Sequence, residues 1–216
     1  MSAVDARRTT ERPQAMVPPL LPLVLLESVR AHDRPREVLE DEDLAASLPR
    51  RLGLTGVVES QIRRYAEAER KGRSVPVEEV RDLFRLILRR PDAEPILRDA
   101  GANLAQRQYR RRTAAAVRIR RILPGFSAAA TMRRAARSLI RRIACGASVD
   151  VVGWPLELRL RGAITADLDA NGTACVLYAA ALEELLGLYL RSRPRFEHRE
   201  CASRGDGRCT WTWSEA

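Results

Sequence analysis

Apolar residues in the first two thirds of the chain recur every three or four positions, which is the period of an α-helix. The clearest case follows Pro76, where one helical face collects five apolar side chains: Val80, Leu83, Phe84, Ile87 and Leu88. The same period predicts further helices over residues 20–30, 54–65, 95–112 and 127–145. Gly101 lies in the middle of the 95–112 segment, where glycine lowers helix propensity. We therefore expect a helical part over residues 18–145, preceded by a disordered tail over 1–17.

Beyond residue 146 the apolar period shortens to two, which is typical of β-strands. Two such segments flank a Gly-Trp-Pro turn at 153–155, and the second directs Leu156, Leu158 and Leu160 to one face. A helix predicted over 175–193 follows, with one apolar face formed by Tyr178, Ala181, Leu182, Leu185, Leu186 and Tyr189. Two more strands, 195–201 and 208–213, flank an Arg-Gly-Asp-Gly turn.

This order of elements predicts an α+β fold, in which a helical layer packs on a small antiparallel sheet. We expect one domain over residues 18–216, with the hairpin–helix–hairpin part at 146–216. The longest apolar run, Leu20 to Leu26, contains Pro22 and is too short to cross a bilayer. We therefore expect a cytoplasmic protein without a transmembrane segment, in which cysteines are more often reduced or metal-bound than joined as disulfides.

The formal net charge is +10, and all basic residues except Lys71 are arginines. They look mixed with acidic residues along the chain, only 5% of residues are aromatic, and no helix-turn-helix spacing is visible. We therefore expect no nucleic-acid partner; an anionic small molecule or membrane surface is at least as compatible with the charge. His32 lies in a charged stretch, is expected to be exposed, and has no expected chemistry.

The chain has only four cysteines and two histidines, yet three of these six residues surround one Gly-Asp-Gly turn: His198, Cys201 and Cys209. Cys175 opens the preceding helix, where the helix dipole is expected to lower the thiol pKa. Three thiolates and one imidazole form a closed set typical of structural zinc sites. Three other interpretations stay open: a disulfide between Cys201 and Cys209, cysteines that only fill the core, or His198 as an ordinary surface histidine.

The chain from about Pro91 to Trp213 resembles the V4R (4-vinyl reductase) domain family, whose fold is similar to that of Bet3-like and haem-NO-binding domains. The resemblance is clearest where Cys175 opens "CVLYAAALEELLG" and where "HRECASRGDGRC" follows. In phenol-sensing members, a comparable set of three cysteines and an acidic residue binds zinc. His198 stands where those sensors carry glutamate, which leaves Glu197 and Glu200 as alternative fourth ligands.

The segments "ILRDAGANLAQRQY", "ILPGF" and "GASVDVV" resemble the stand-alone members of the family that act in bacteriochlorophyll biosynthesis. The resemblance implies a role at the step that reduces the 8-vinyl group of a divinyl precursor. The sequence lacks a Gly-x-Gly-x-x-Gly motif after a strand, and the cysteines are all used if they bind zinc. We therefore expect a carrier or accessory protein that binds a hydrophobic or tetrapyrrole molecule in photosynthesis. The alternatives are the 4-vinyl reductase itself and a small-molecule sensor or adaptor.

Several further residues are candidates for ligand contact. Arginines of the 127–145 helix are suited to carboxylates, and tryptophans to a flat macrocycle: Arg133, Arg134, Arg137, Arg141 and Arg142, with Trp154, Trp211 and Trp213. We single out Trp154, Arg134, Arg137 and Arg141. The resemblance also implies a homodimer, for which Leu20–Leu26 is a candidate surface, and a biosynthetic enzyme as a possible partner.

Overall fold

The computed structural model describes residues 15–33, 56–120, 128–190 and 194–214, with the backbone alone at 112–120 and 128. These residues form six α-helices: α1 Leu20–His32, α2 Gly56–Arg70, α3 Val77–Leu88, α4 Ala93–Arg120, α5 Ala128–Ile143 and α6 Val176–Leu190. They also form six strands: β1 Met16–Val17, β2 Val75–Pro76, β3 Ser148–Val152, β4 Glu157–Arg161, β5 Arg195–Glu200 and β6 Cys209–Ser214. The predicted α+β class is confirmed.

The end of the predicted tail is ordered. Met16 and Val17 pair with Pro76 and Val75 in a two-stranded antiparallel sheet, and Val17 is buried. The prediction of disorder over residues 1–17 is therefore wrong for these two residues, because a short backbone ladder ties them to the start of α3. Residues 1–14 lie outside the described part of the chain.

The larger sheet is antiparallel throughout, with strand order β3-β4-β6-β5. Its inner face is apolar, because alternate residues of each strand point towards the helices: Val149, Val151, Leu158, Leu160, Cys209 and Trp211 are all buried. The register places Leu160 beside Cys209, and Trp211 between Leu158 and His198. A register shift interrupts the β5–β6 pairing between His198 and Glu200. The sheet therefore carries Cys209 and His198 at one end.

Helix α6 lies in the centre of the molecule and is buried on almost every side. Besides the predicted apolar face, Leu177, Ala179 and Ala180 are buried. By length and composition, residues 173–190 resemble a membrane-spanning helix, with a mean hydropathy of 1.4, but 56% of this window is buried inside the protein. Buried core helices of this kind meet the same criterion, so the absence of a transmembrane segment stays a prediction.

Gly101 has a packing role that helix propensity alone does not suggest. A Cβ atom built there would lie 2.5 Å from the Leu177 carbonyl oxygen and 2.9 Å from the Ala181 nitrogen. Real Cβ atoms do not approach backbone atoms so closely, so glycine allows α4 and α6 to cross in backbone contact. The helix continues through this residue, and its lower propensity is offset by the close packing.

Two other expectations about the helical part are wrong. Every residue of Leu20–Leu26 is buried against neighbouring helices of the same chain, so this run is core and not an exposed dimer surface. The His32 side chain is only 16% exposed, and its Nε2 atom lies 2.5 Å from Asp99 Oδ2. His32 thus contacts Asp99 of α4. This contact joins residues far apart in the chain, so the charges of neighbouring residues in the sequence do not predict it.

Candidate metal centre

The four predicted metal ligands converge in space. The ligand atoms of Cys175, His198, Cys201 and Cys209 all lie within 4.8 Å of one another. The three cysteines are buried, and His198 is partly buried. His198, Cys201 and Cys209 belong to the β5–β6 hairpin, and tertiary packing brings Cys175, just before α6, to them. The cluster is a set able to hold a metal ion.

The connection between β5 and β6 is folded so that its two cysteines face the same side. The Cys201 N–H donates to Asp206 Oδ2 at 2.7 Å, and the Asp206 N–H donates back to the Cys201 carbonyl at 3.1 Å. Gly205, with φ of +100°, provides the left-handed residue that this reversal needs. The Ala202 N–H donates to the Cys209 sulfur at 3.3 Å. Such N–H groups stabilise negative charge on sulfur, as metal binding requires.

The loop before α6 closes over the cluster. Asp169 accepts hydrogen bonds from the N–H groups of Thr173 at 2.6 Å and Ala174 at 3.3 Å, so it caps the short 3-10 turn that ends at Cys175. Gly172 has φ of +74°, and a Cβ atom there would lie 2.7 Å from the Cys201 sulfur. Glycine therefore lets this loop backbone pass directly over a candidate ligand atom.

His198 is oriented by an aromatic neighbour and has one unpartnered nitrogen. Its ring stacks on Trp211, with centroids 4.4 Å apart and planes at 5°. Its Nε2 atom is buried, and no hydrogen-bond partner is found for it among the described residues. Buried polar atoms normally have a partner, and coordination to a metal ion would satisfy this nitrogen.

The glutamates considered as alternative fourth ligands are engaged elsewhere. The Glu200 carboxylate accepts hydrogen bonds from Arg208 at 2.7 Å and Thr210 at 2.6 Å. Glu197 forms an ion pair with Arg199. The ligand-atom cluster includes neither carboxylate, and its fourth member is His198.

The pKa values of the Cys175 and Cys209 thiols shift in opposite directions. The pKa of Cys209 is lowered by its hydrogen bond with Cys175, by the nearby His198 imidazole and by the Ala202 N–H. The pKa of Cys175 is raised, first by its contact with Cys209 and then by burial. The expected lowering is therefore wrong for Cys175, because its contact with Cys209 and its burial both raise the pKa. The cluster stabilises one thiolate even before an ion binds.

The structure bears on two alternative interpretations of the cysteines, a disulfide and core filling. All four thiols are free in the structure, so the proposed Cys201–Cys209 disulfide is not formed. The nearest hydrogen-bonded sulfur pair, Cys175 and Cys209, is 4.0 Å apart, about twice the length of a disulfide bond. Cys145 behaves as a core thiol: its sulfur contacts the Ile143 carbonyl, and burial raises its pKa to about 12. Core filling explains burial, but it does not require four ligand atoms to meet.

The candidate ligand-binding residues lie on α5 and at the β3–β4 turn. Trp154 is 45% exposed and packs edge-on against Trp213, with centroids 5.1 Å apart. Arg137 donates to the Val151 carbonyl at 3.2 Å, which ties α5 to β3, whereas Arg134 and Arg141 are exposed.

Sequence reasoning missed four residues that support the cysteine cluster: Asp169, Gly172, Asp206 and Trp211. The Gly-Asp-Gly turn and the "DANGT" loop nevertheless indicated special backbone geometry.

Comparison with protein-family models, with curated proteins and with solved structures gives no match to this chain. The resemblance to V4R domains therefore stays a prediction.

Proposed function

We propose that the four-residue cluster holds a structural zinc ion. Three sulfurs and one imidazole nitrogen are the donor types that zinc prefers, and a set of four protein ligands leaves no open position for substrate. The observation that carries this proposal is the convergence of all four ligand atoms within 4.8 Å, with His198 Nε2 otherwise unpartnered. The ion would join the start of α6 to the β5–β6 ribbon.

Cobalt substitution tests the donor set directly. Co²⁺ in a tetrahedral site with thiolate ligands gives intense d–d bands and thiolate charge-transfer absorption, and added zinc removes both. We expect these bands in the wild-type chain and in Cys145→Ser, since Cys145 lies outside the cluster. We expect weaker charge-transfer absorption in Cys201→Ser. Octahedral cobalt spectra in the wild-type chain would contradict the proposal.

For the whole chain, we propose a V4R-type binding protein for a hydrophobic or tetrapyrrole molecule. Its role would be that of a carrier or accessory at the 8-vinyl reduction step of bacteriochlorophyll biosynthesis. The cysteine motif and its similarity to the zinc-binding V4R set support this function. A homodimer, a cytoplasmic location and a biosynthetic enzyme as partner are proposed on the same resemblance.

Spectral titration with divinyl protochlorophyllide separates the carrier from a sensor of other molecules. The proposal predicts a saturable shift of the pigment bands with the zinc-loaded chain. Trp154→Ala and Arg141→Gln test the candidate contacts, and Arg63→Gln, an exposed arginine on α2, is the matched control. Absence of a shift at any pigment concentration would contradict pigment binding.

The reductase alternative has its own test. The zinc-loaded chain is incubated with the divinyl pigment and either NADPH or reduced ferredoxin, and loss of the vinyl group is followed by mass spectrometry. The carrier function predicts binding without reduction. Turnover by the purified chain would overturn the carrier proposal and establish the reductase.

A further inference from the structure

The positive charge of this chain is concentrated in one segment. Between Ala100 and Val149 there are twelve arginines and no aspartate or glutamate, whereas the remaining residues carry 26 basic and 28 acidic side chains. The expectation that basic and acidic residues are mixed along the chain is therefore wrong for this segment. Its charge exceeds the +10 of the whole protein.

Hydrogen bonds join the two described helices of this segment, α4 and α5. Arg142 of α5 donates to Gln108 Oε1 of α4 at 3.1 Å, and Gln108 donates to Ser138 of α5 at 3.2 Å. The arginines on the other side of α4 are neutralised: Arg107 pairs with Glu27 and Arg111 with Glu69. Arg107 and Arg111 are therefore paired on the side of α4 that meets α1 and α2.

The two faces of α5 differ in polarity. Its inner face is buried in the core through Met132, Ala135, Ala136, Leu139, Ile140 and Ile143. Arg134 and Arg141 lie on the opposite, exposed face, and Arg133 is exposed on the flank of the helix. Among the described residues, no carboxylate lies within ion-pair distance of Arg133 or Arg141. This outer face of α5 is therefore a cationic surface, and its apolar side is already used for packing.

An exposed indole lies in the turn after β3, the strand that packs against α5. Helix α5 and strand β3 are adjacent, and the chain reverses between them, so Arg137 meets Val151. The turn after β3 therefore continues towards the N-terminal half of α5, where Arg133 lies. Trp154 occupies this turn with 45% of its surface exposed, and contact with Trp213 holds its ring.

We infer that the outer face of α5, together with Trp154, docks on a membrane surface that contains anionic phospholipids. Arginines next to a membrane are attracted by the negative lipid headgroups, and tryptophan prefers the interface between headgroups and hydrocarbon. Nucleic acid fits less well. Proteins that bind single strands stack several bases on aromatic rings, and among the described residues Trp154 is the only exposed aromatic side chain. This inference requires neither zinc nor pigment, although Trp154 and Arg141 are also the candidate pigment contacts.

Cosedimentation of the zinc-loaded chain with phosphatidylcholine vesicles, with and without phosphatidylglycerol, tests the inference. We expect binding only to the anionic vesicles, loss of binding as salt is raised, and a blue shift of emission that Trp154→Phe removes. The double variant Arg133→Gln/Arg141→Gln should bind about tenfold more weakly or worse. The double variant Arg63→Gln/Arg89→Gln removes the same charge from exposed positions on other elements and should bind like the wild type.

Three results would overturn the inference. The first is failure of the wild-type chain to sediment with anionic vesicles at low salt. The second is an equal loss of binding in the two double variants, which would indicate attraction by net charge alone. The third is tight binding of a duplex DNA or single-stranded RNA probe through Arg133 and Arg141 without vesicle binding, which would assign the surface to nucleic acid.

Discussion

The imidazole of His198 lies flat on the indole of Trp211, with ring centroids 4.4 Å apart and planes at 5°. Trp211 is fully buried and packs edge-on against Tyr178 of α6, so its position is fixed by the core. The stack therefore orients the His198 ring within the cluster.

We expect Trp211→Phe to lower metal affinity by about tenfold, because the smaller ring supports the imidazole less firmly. Competition with a chromophoric chelator measures this affinity. Trp213→Phe is the matched control: it lies on the same strand but packs on Trp154 and Phe196, away from the cluster. Equal affinities in the two variants would show that the stack does not support the metal centre.

Gly172→Ala should weaken metal binding. The new methyl group would lie 2.7 Å from the Cys201 sulfur, and the left-handed backbone adds strain of about 1 kcal/mol. Gly162→Ala is the control for that strain, because Gly162 has φ of +68° and no atom within 4 Å of a built Cβ. We expect both variants to lose stability but only Gly172→Ala to lose metal affinity. Loss of affinity in both would refute a specific role for Gly172.

Gly101→Ala should lower the free energy of unfolding by about 2–3 kcal/mol, because the methyl group overlaps the backbone of α6 and forces the two helices apart. Urea unfolding of the zinc-loaded protein measures the change. Gly56→Ala, at the start of α2, adds a methyl group with no atom within 4 Å and should change stability by less than about 0.5 kcal/mol. A neutral Gly101→Ala variant would contradict the close α4–α6 crossing.

Glu200 should titrate at unusually low pH. Hydrogen bonds from Arg208 and then Thr210 lower the pKa of its carboxyl group from 4.5 to about 2. A lowered folded-state pKa means that this carboxylate stabilises the fold above pH about 4.5 and that the contribution fades as the pH falls towards 2. An NMR titration of the Glu200 carboxyl carbon measures the pKa directly. Arg208→Gln should raise it, and an ordinary midpoint in the wild-type chain would refute the interaction.

Sequence patterning predicted the element types well where local period and burial agree. The amphipathic face around Phe84 and the alternation at Leu156, Leu158 and Leu160 follow from side-chain geometry alone. It misjudged Leu20–Leu26 and Gly101, because their roles depend on which helix lies opposite. Such contacts are set by tertiary packing, which a single local window does not contain.

The candidate ligands were predictable because cysteine and histidine are so scarce in this chain. Their supports were not, since Asp169, Gly172 and Trp211 act through hydrogen bonds, close approach and stacking that appear only in three dimensions. The choice of His198 over Glu200 likewise needed the structure. It depends on Arg208 and Thr210 already binding that carboxylate.

Metal analysis of protein purified without added zinc tests the central claim most directly. We expect one zinc ion per chain in the wild type and in Cys145→Ser, and loss of zinc with a lower unfolding temperature in Cys175→Ser and Cys209→Ser, because metal binding is coupled to folding. A folded wild-type chain that contains no metal, and whose cluster thiols are freely reactive or joined in a disulfide, would contradict the claim.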